Sequence, residues 1–136
     1  MPQDNMIETG RGVVDHSMCD RMGHLTTRVY TGLFDDASYK LVEACGLTVD
    51  DKTGFADLEL KTKFINEIRC DGRFYIKSGF LKLGNSSLVA LHHMYNAADD
   101  SLISTCEETA VIFDLVKRKS MAMSDEFRKN AQKLMA

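Results

Sequence analysis

From Arg28 the apolar residues fall at Tyr30, Leu33, Phe34, Ala37, Leu41, Ala44 and Cys45. Spacings of three and four lay them along one stripe of a helix. Gly46 follows directly, where a residue at positive φ would close that helix, and Thr26 or Thr27 is placed to cap its start through a hydroxyl. Before it, Gly12 to Met18 alternates in part, with Val14, His16 and Met18 on one side, and reads as a first strand. Residues 1–8 are polar and read as a loose arm, and Gly46 to Gly54 reads as a loop on composition.

After Gly54 the period drops to two. Ala56, Leu58, Leu60, Thr62 and Phe64 face one way, and Asp57, Glu59, Lys61 and Lys63 the other, as in a half-buried strand. Asp71-Gly72 is a hairpin signal leading into a strand from Phe74 to Leu83. Gly84-Asn85-Ser86 turns the chain into Leu88 to Tyr95, and Ala98 to Ser101 turns it again into a strand from Leu102 to about Leu115. Short turns between the last three strands imply an antiparallel meander. Ser124-Asp125-Glu126 opens a C-terminal helix over 124–135, acidic at its start and basic towards its end. The order is strand, long helix, four strands, short helix: an α+β domain. One helix cannot cover both faces of such a sheet, and its marginal strands need partners, so a homodimer joined through sheet edges is expected.

Composition narrows the function. At 136 residues the chain is a single domain over 1–136, with roughly two thirds of its unfolded surface available for burial. A net charge of −3 offers no electrostatic case for nucleic acid. No apolar run approaches the eighteen or so residues of a membrane span, and the opening Met1 to Asn5 has neither the basic nor the apolar region of a signal peptide. The four cysteines, Cys19, Cys45, Cys70 and Cys106, form no CxxC pair and read as free thiols in a reducing compartment, by default the cytoplasm. His92 and His93 would point to opposite faces of a strand, so no metal-ligand spacing appears.

The chemistry gathers ahead of the long helix, where Asp20, Gly23 and His24 converge on its N-terminus. Free backbone N–H groups and the helix dipole favour developing negative charge there. Without further information Asp20 reads equally as a turn or capping residue.

Asp20, Gly23 and His24, followed by Tyr30 and by Phe34 and Ala37 on the helix, resemble the motif of the hotdog-fold acyl-CoA thioesterases. Among them the branch around 4-hydroxybenzoyl-CoA thioesterase is most similar, and the resemblance runs over about residues 10–120. It implies a hotdog fold, an antiparallel sheet wrapped around one long central helix. It also implies homodimers or homotetramers with active sites at subunit interfaces, and hydrolysis of a coenzyme A thioester without metal or cofactor. Asp20 matches the position of the nucleophile or the base for water. The backbone N–H of Gly23 or His24 matches the donor that polarises the thioester carbonyl, and Tyr30 matches a helix tyrosine. The chain departs from many relatives in carrying Thr26-Thr27 where they have asparagines; another subgroup has a histidine at the Thr27 position. A threonine after Gly-His is similar to thioesterases acting on betainyl-CoA, and Glu59 falls near a glutamate of that subgroup. Thr26, Thr27, Tyr30 and Glu59 are thereby candidate substrate contacts.

A thioester carbonyl needs a nucleophile on one side and donors on the other, each worth on the order of 3 kcal/mol in the transition state. An aspartate at a helix N-terminus is held ionised, which leaves direct attack to a mixed anhydride or orientation of a water. Gly23 fits a close approach of the acyl group, since it has no Cβ. Lys117 and Arg118 are candidates for the phosphates of coenzyme A, with a solvated strand end as the plain alternative. The expected activity is acyl-CoA hydrolysis, with a non-catalytic acyl-CoA-binding module of the same fold as the alternative. A dehydratase would need a different acid–base pair.

Overall fold

The computed structural model describes residues 5–136. Of the expected arm, residues 1–4 lie outside the described residues, while Ile7 and Glu8 are already in the first strand. The elements are β1 (Ile7–Val13), α1 (Thr27–Ala44), β2 (Thr53–Phe64), β3 (Arg73–Leu83), β4 (Ser87–Asn96), β5 (Leu102–Asp114), β6 (Lys119–Ser120) and α2 (Asp125–Gln132). The first strand lies earlier than its alternation suggested. Asp15 accepts the Ser17 N–H at 2.7 Å and caps a 3-10 turn over His16–Met18, which takes those residues out of the sheet.

The strands form one antiparallel sheet in the order β1-β3-β4-β5-β2, with β6 pairing β5. The sheet packs around α1 in the hotdog arrangement. The helix stripe does most of the burying: Tyr30, Phe34, Ala37, Leu41 and Cys45 are in the core, while Ala44 faces solvent. Each large side chain so buried contributes about 2 kcal/mol. Gly46 sits at φ +99, closing the helix as expected. Ser124 caps α2 through Phe127 N–H at 3.0 Å. That helix stops at Gln132, short of 135, because Leu134 and Ala136 turn back to hydrogen-bond the backbone of Phe80.

The meander of β3, β4 and β5 is present, but Asp71-Gly72 is not a hairpin. The partner of β2 is β5, so β2 lies at the far edge from β1 and the Ile65–Gly72 segment crosses the end of the sheet to reach β3. Asp71 and Gly72 instead dock on Val14 through backbone bonds of 2.7 and 2.8 Å. The half-buried face expected of β2 is largely bare: Leu58 is 65%, Leu60 42% and Phe64 54% exposed. The core draws nearly all its sheet residues from the other strands, and a bulge between Asp57 and Glu59 breaks the alternation.

Two apolar clusters lie along α1. One gathers on Tyr30, Phe34 and Ala37, the other on Leu41, Val42 and Cys45. Buried polar groups join end to end between them. Thr9 Oγ1 meets Ser78 Oγ at 2.7 Å, Ser78 meets His92 Nδ1 at 2.5 Å, and His92 Nε2 meets Glu108 Oε1 at 2.8 Å. The Ser38 hydroxyl donates to the same Glu108 oxygen at 2.6 Å. Every member is 3% exposed or less, and among the described residues no buried side-chain polar atom lacks a partner. His93 points away, bonding Tyr95 at 3.1 Å, as expected of opposite strand faces.

The free-thiol reading fails for two of the four cysteines. Cys19 and Cys70 are joined in a disulfide, with Cα atoms 6.2 Å apart, while Cys45 and Cys106 are free and buried. Spacing along the chain carried no sign of this pair, because the crossover is what brings position 70 to position 19. The argument for a reducing compartment falls with it.

Three outcomes follow. Thiol titration of the denatured, unreduced protein should find two thiols, and four after reduction. The bond closes a separation of 51 residues, so its removal in a Cys19→Ser/Cys70→Ser variant should lower urea-derived stability by about 4 kcal/mol. Glu108→Ala leaves His92 and Ser38 facing a void and should cost about 3 kcal/mol in the same assay.

The polar seam also sets a pH dependence. Burial pushes His92 down to about 4 from 6.5, so the stability linked to its neutral ring is full above pH 6.5 and is lost as pH falls towards 4. Asp57 is pushed up to about 7 from 3.8, by desolvation and then by Glu108. Its contribution runs the other way, present at low pH and lost as pH rises through 7. Removing the opposing group in Asp57→Asn should therefore steepen the gain in urea midpoint between pH 4 and 6.5, relative to the unaltered chain.

Candidate active site

The loop between the 3-10 turn and α1 is tied to itself through Asp20. Asp20 N–H donates to the His24 carbonyl at 2.8 Å, and Asp20 Oδ1 accepts from Met22 N–H at 2.8 Å and His24 N–H at 3.1 Å. Gly23 N–H closes on the Asp20 carbonyl at 3.1 Å, with φ at +77. The positive φ of this turn favours glycine, and a Cβ there would meet no protein atom within 4 Å. Asp20 Oδ2 takes no protein hydrogen bond among the described residues.

The crossover supplies the opposite wall. Leu25 N–H bonds Ile68 O and Cys70 N–H bonds Gly23 O, both at 3.0 Å, with the Cys19–Cys70 bond just outside them. Between the two segments lies a cleft of about 310 Å³. Asp20, His24, Leu25, Thr27 and Tyr30 line one side, and Phe64, Ile65, Asn66 and Glu67 the other. Tyr30 packs edge-on to Phe64 at 5.0 Å, and burial, then the Asp20 charge, raise its phenol above the ordinary range. His24 Nε2 meets Glu67 Oε2 at 2.6 Å.

Asp20, His24, Thr27 and Tyr30 are thus brought together as the motif suggested, with Gly23 in the turn that joins the first two. The N–H groups of Gly23 and His24 are committed within the Asp20 loop; among the described residues, those of Thr27 and Arg28 are the open ones at the start of α1. Thr26 holds the cap position, φ −77 and ψ 148, but its hydroxyl makes no capping bond. Glu59 is exposed on β2 opposite Thr109, outside the cleft. Lys117 and Arg118 stand in the β5–β6 turn, beside the Thr53 end of β2, whereas the cleft is at the Phe64 end. Eleven strand steps separate those ends, about 35 Å. Sequence reasoning missed Phe64 as a cleft wall, and missed Ile65, Asn66 and Glu67, which follow the strand and carry no periodic signal. A second groove of about 390 Å³, between β1 and α1 and bordered by Arg11, Tyr39 and Lys40, contains none of these candidates.

Among the described residues no group of three or more His, Cys, Asp or Glu side chains could hold a metal ion, and no helix is long and apolar enough to cross a membrane. The cleft offers an Asp20 carboxylate oxygen that takes no protein hydrogen bond among the described residues, beside open amide donors, an arrangement suited to acyl transfer to water.

Several solved structures share this fold. A Staphylococcus aureus protein in complex with CoA matches with a TM-score of 0.85 at 17% identity, over 96% of this chain and 87% of that one. The 1,4-dihydroxy-2-naphthoyl-CoA thioesterase of Synechocystis matches with a TM-score of 0.78 at 12% identity, over 92% and 95%. A gentisyl-coenzyme A thioesterase matches with a TM-score of 0.79 at 18% identity, over 89% and 97%. A comparison with curated protein sequences finds no match. The model of the Thioesterase-like superfamily matches residues 14–131. The chain therefore belongs to the Thioesterase-like superfamily and is a thioester hydrolase of the hotdog fold.

Proposed function

We propose that the protein hydrolyses an acyl-CoA thioester to the free acid and coenzyme A, with Asp20 as the reacting carboxylate. The observation that carries this reading is Asp20 Oδ2, which takes no hydrogen bond from the described residues at a cleft beside the start of α1. Asp20 either attacks the acyl carbon, forming a mixed anhydride that water opens, or orients the attacking water. The acyl oxygen is polarised by backbone donors of this loop. His24 N–H serves once the Asp20 carboxylate turns from its own loop to the substrate, Gly23 N–H once its bond to the Asp20 main-chain carbonyl opens, and Thr27 and Arg28 N–H lie next in line. No resident cofactor or metal takes part. The candidate acyl groups are small polar, betainyl-like ones, short aliphatic ones and aromatic ones, with Thr27 and Tyr30 in the cleft and Thr26 at the cap of α1 as their proposed contacts.

The working unit is a homodimer, or a homotetramer built from it. What supports this is β2: an edge strand whose apolar Leu58, Leu60 and Phe64 are uncovered in the single chain. Two copies pairing β2 antiparallel would bring the Thr53 end of one strand beside the Phe64 end of the other. Lys117 and Arg118 of a second copy would then stand near this cleft, where the phosphates of coenzyme A need cations, and Glu59 would lie in the interface.

Thiol release should be measured on a panel of betainyl, short aliphatic, long aliphatic and aromatic CoA thioesters. Turnover of one class, lowered about a hundredfold or more by Asp20→Asn, is the expected result. Tight binding without turnover on every member would replace hydrolysis by a binding role. Full activity in Asp20→Asn would make Asp20 structural. Sedimentation should find a dimer or larger species, and a Leu58→Lys/Leu60→Lys variant should shift it to monomer with loss of turnover.

A further inference from the structure

The crossover carries a second carboxylate into the cleft. Glu67 Oε2 lies 2.6 Å from His24 Nε2, and both residues line the same cavity as Asp20. The backbone on each side of this contact is fixed. His24 pairs with Arg69 in an antiparallel bridge, Leu25 N–H bonds Ile68 O, and Cys70 N–H bonds Gly23 O. The disulfide between Cys19 and Cys70 clamps the same two segments. The pair is therefore held by two backbones tied together, unlike two long side chains meeting on a free surface. Both side chains are partly open to water, 33% for His24 and 56% for Glu67, so a gain in stability does not account for the contact.

A carboxylate at one ring nitrogen decides which nitrogen keeps the proton. With Nε2–H given to Glu67, the neutral ring has its lone pair on Nδ1. The geometry points to Glu67 as a positioning residue that holds His24 in this form, so that the imidazole moves the proton during hydrolysis. This rests on the thioester reading above. Hydrolysis transfers one proton from water to sulfur. Nδ1 takes it as the water oxygen bonds to the acyl carbon, of the thioester or of the Asp20 anhydride. The carbon–sulfur bond breaks with its electron pair going to sulfur, and the imidazolium, balanced by Glu67, delivers a proton to the thiolate. Nothing else is consumed. In the order through the anhydride, the thiolate leaves first and takes its proton from the imidazolium of the previous cycle.

The test compares Glu67→Gln, Glu67→Asp, His24→Gln and the Glu67→Gln/His24→Gln double variant with the unaltered protein. Thermal midpoints confirm that each is folded, and kcat and KM are read on a thioester the panel turns over. Glu67→Gln should lower kcat about tenfold or more with KM changed less than about twofold. Glu67→Asp should restore part of that loss, and Glu67→Gln should cost nothing further in the His24→Gln background. An unchanged kcat in Glu67→Gln, or losses that multiply in the double variant, would overturn the assignment. Ring 15N shifts, assigned to His24 by the His24→Gln spectrum, give a readout that needs no turnover. The neutral ring should carry its proton on Nε2 and become a mixture of tautomers in Glu67→Gln; no change there also overturns it. A panel without any turnover would sink the thioester reading and leave the ring measurement standing by itself.

Discussion

The site depends on one topological constraint. Because β2 pairs with β5 and not with β3, the chain leaving Phe64 has to cross the end of the sheet within the Ile65–Gly72 segment. That path runs over the start of α1, where the helix leaves amide donors open and the Asp20 loop is folded on itself. Backbone bonds to Gly23 and Leu25, with the Cys19–Cys70 bond, make the crossing segment a second wall. Loop and crossover each need the other: separately, neither would enclose a cleft.

Under this end of the molecule the core is divided. The apolar clusters at the two halves of α1 are parted by the Ser38, Glu108, His92, Ser78 and Thr9 seam. Such groups are costly to bury unless each finds its partner, and here each does. A satisfied seam of this kind ties β1, β3, β4 and β5 to one register against the helix, since a slip of one strand would leave a charge or hydroxyl alone in the interior. The cleft is thereby built on a rigid base, which is what positioned amide donors need if they are to act without reorganising.

The same sheet is unfinished at β2. Its apolar side chains were legible as a stripe, yet in one chain they face water, because α1 is taken up by the other strands. A strand patterned for burial and left bare is a physical statement about a missing surface, and it adjoins the cleft through Phe64.

Locally encoded features could be read directly from the residues. The stripe from Tyr30 to Cys45, the stop at Gly46, the β3–β4–β5 turns and the Ser124 cap all follow from period, φ and short-range hydrogen bonding, and all are present. The grouping of Asp20, Gly23 and His24 was equally legible, because the three lie within one turn of chain. Which strand β2 chose, the bulge at Asp57, the Cys19–Cys70 bond and the meeting of Glu67 with His24 were decided only by the tertiary structure. Period reports which face of an element is buried, but it carries no information on what covers that face. Pairings across 51 residues for the cysteines, or from the Asp20 loop to the crossover, exist only after strand order has brought those segments to the same end of the sheet.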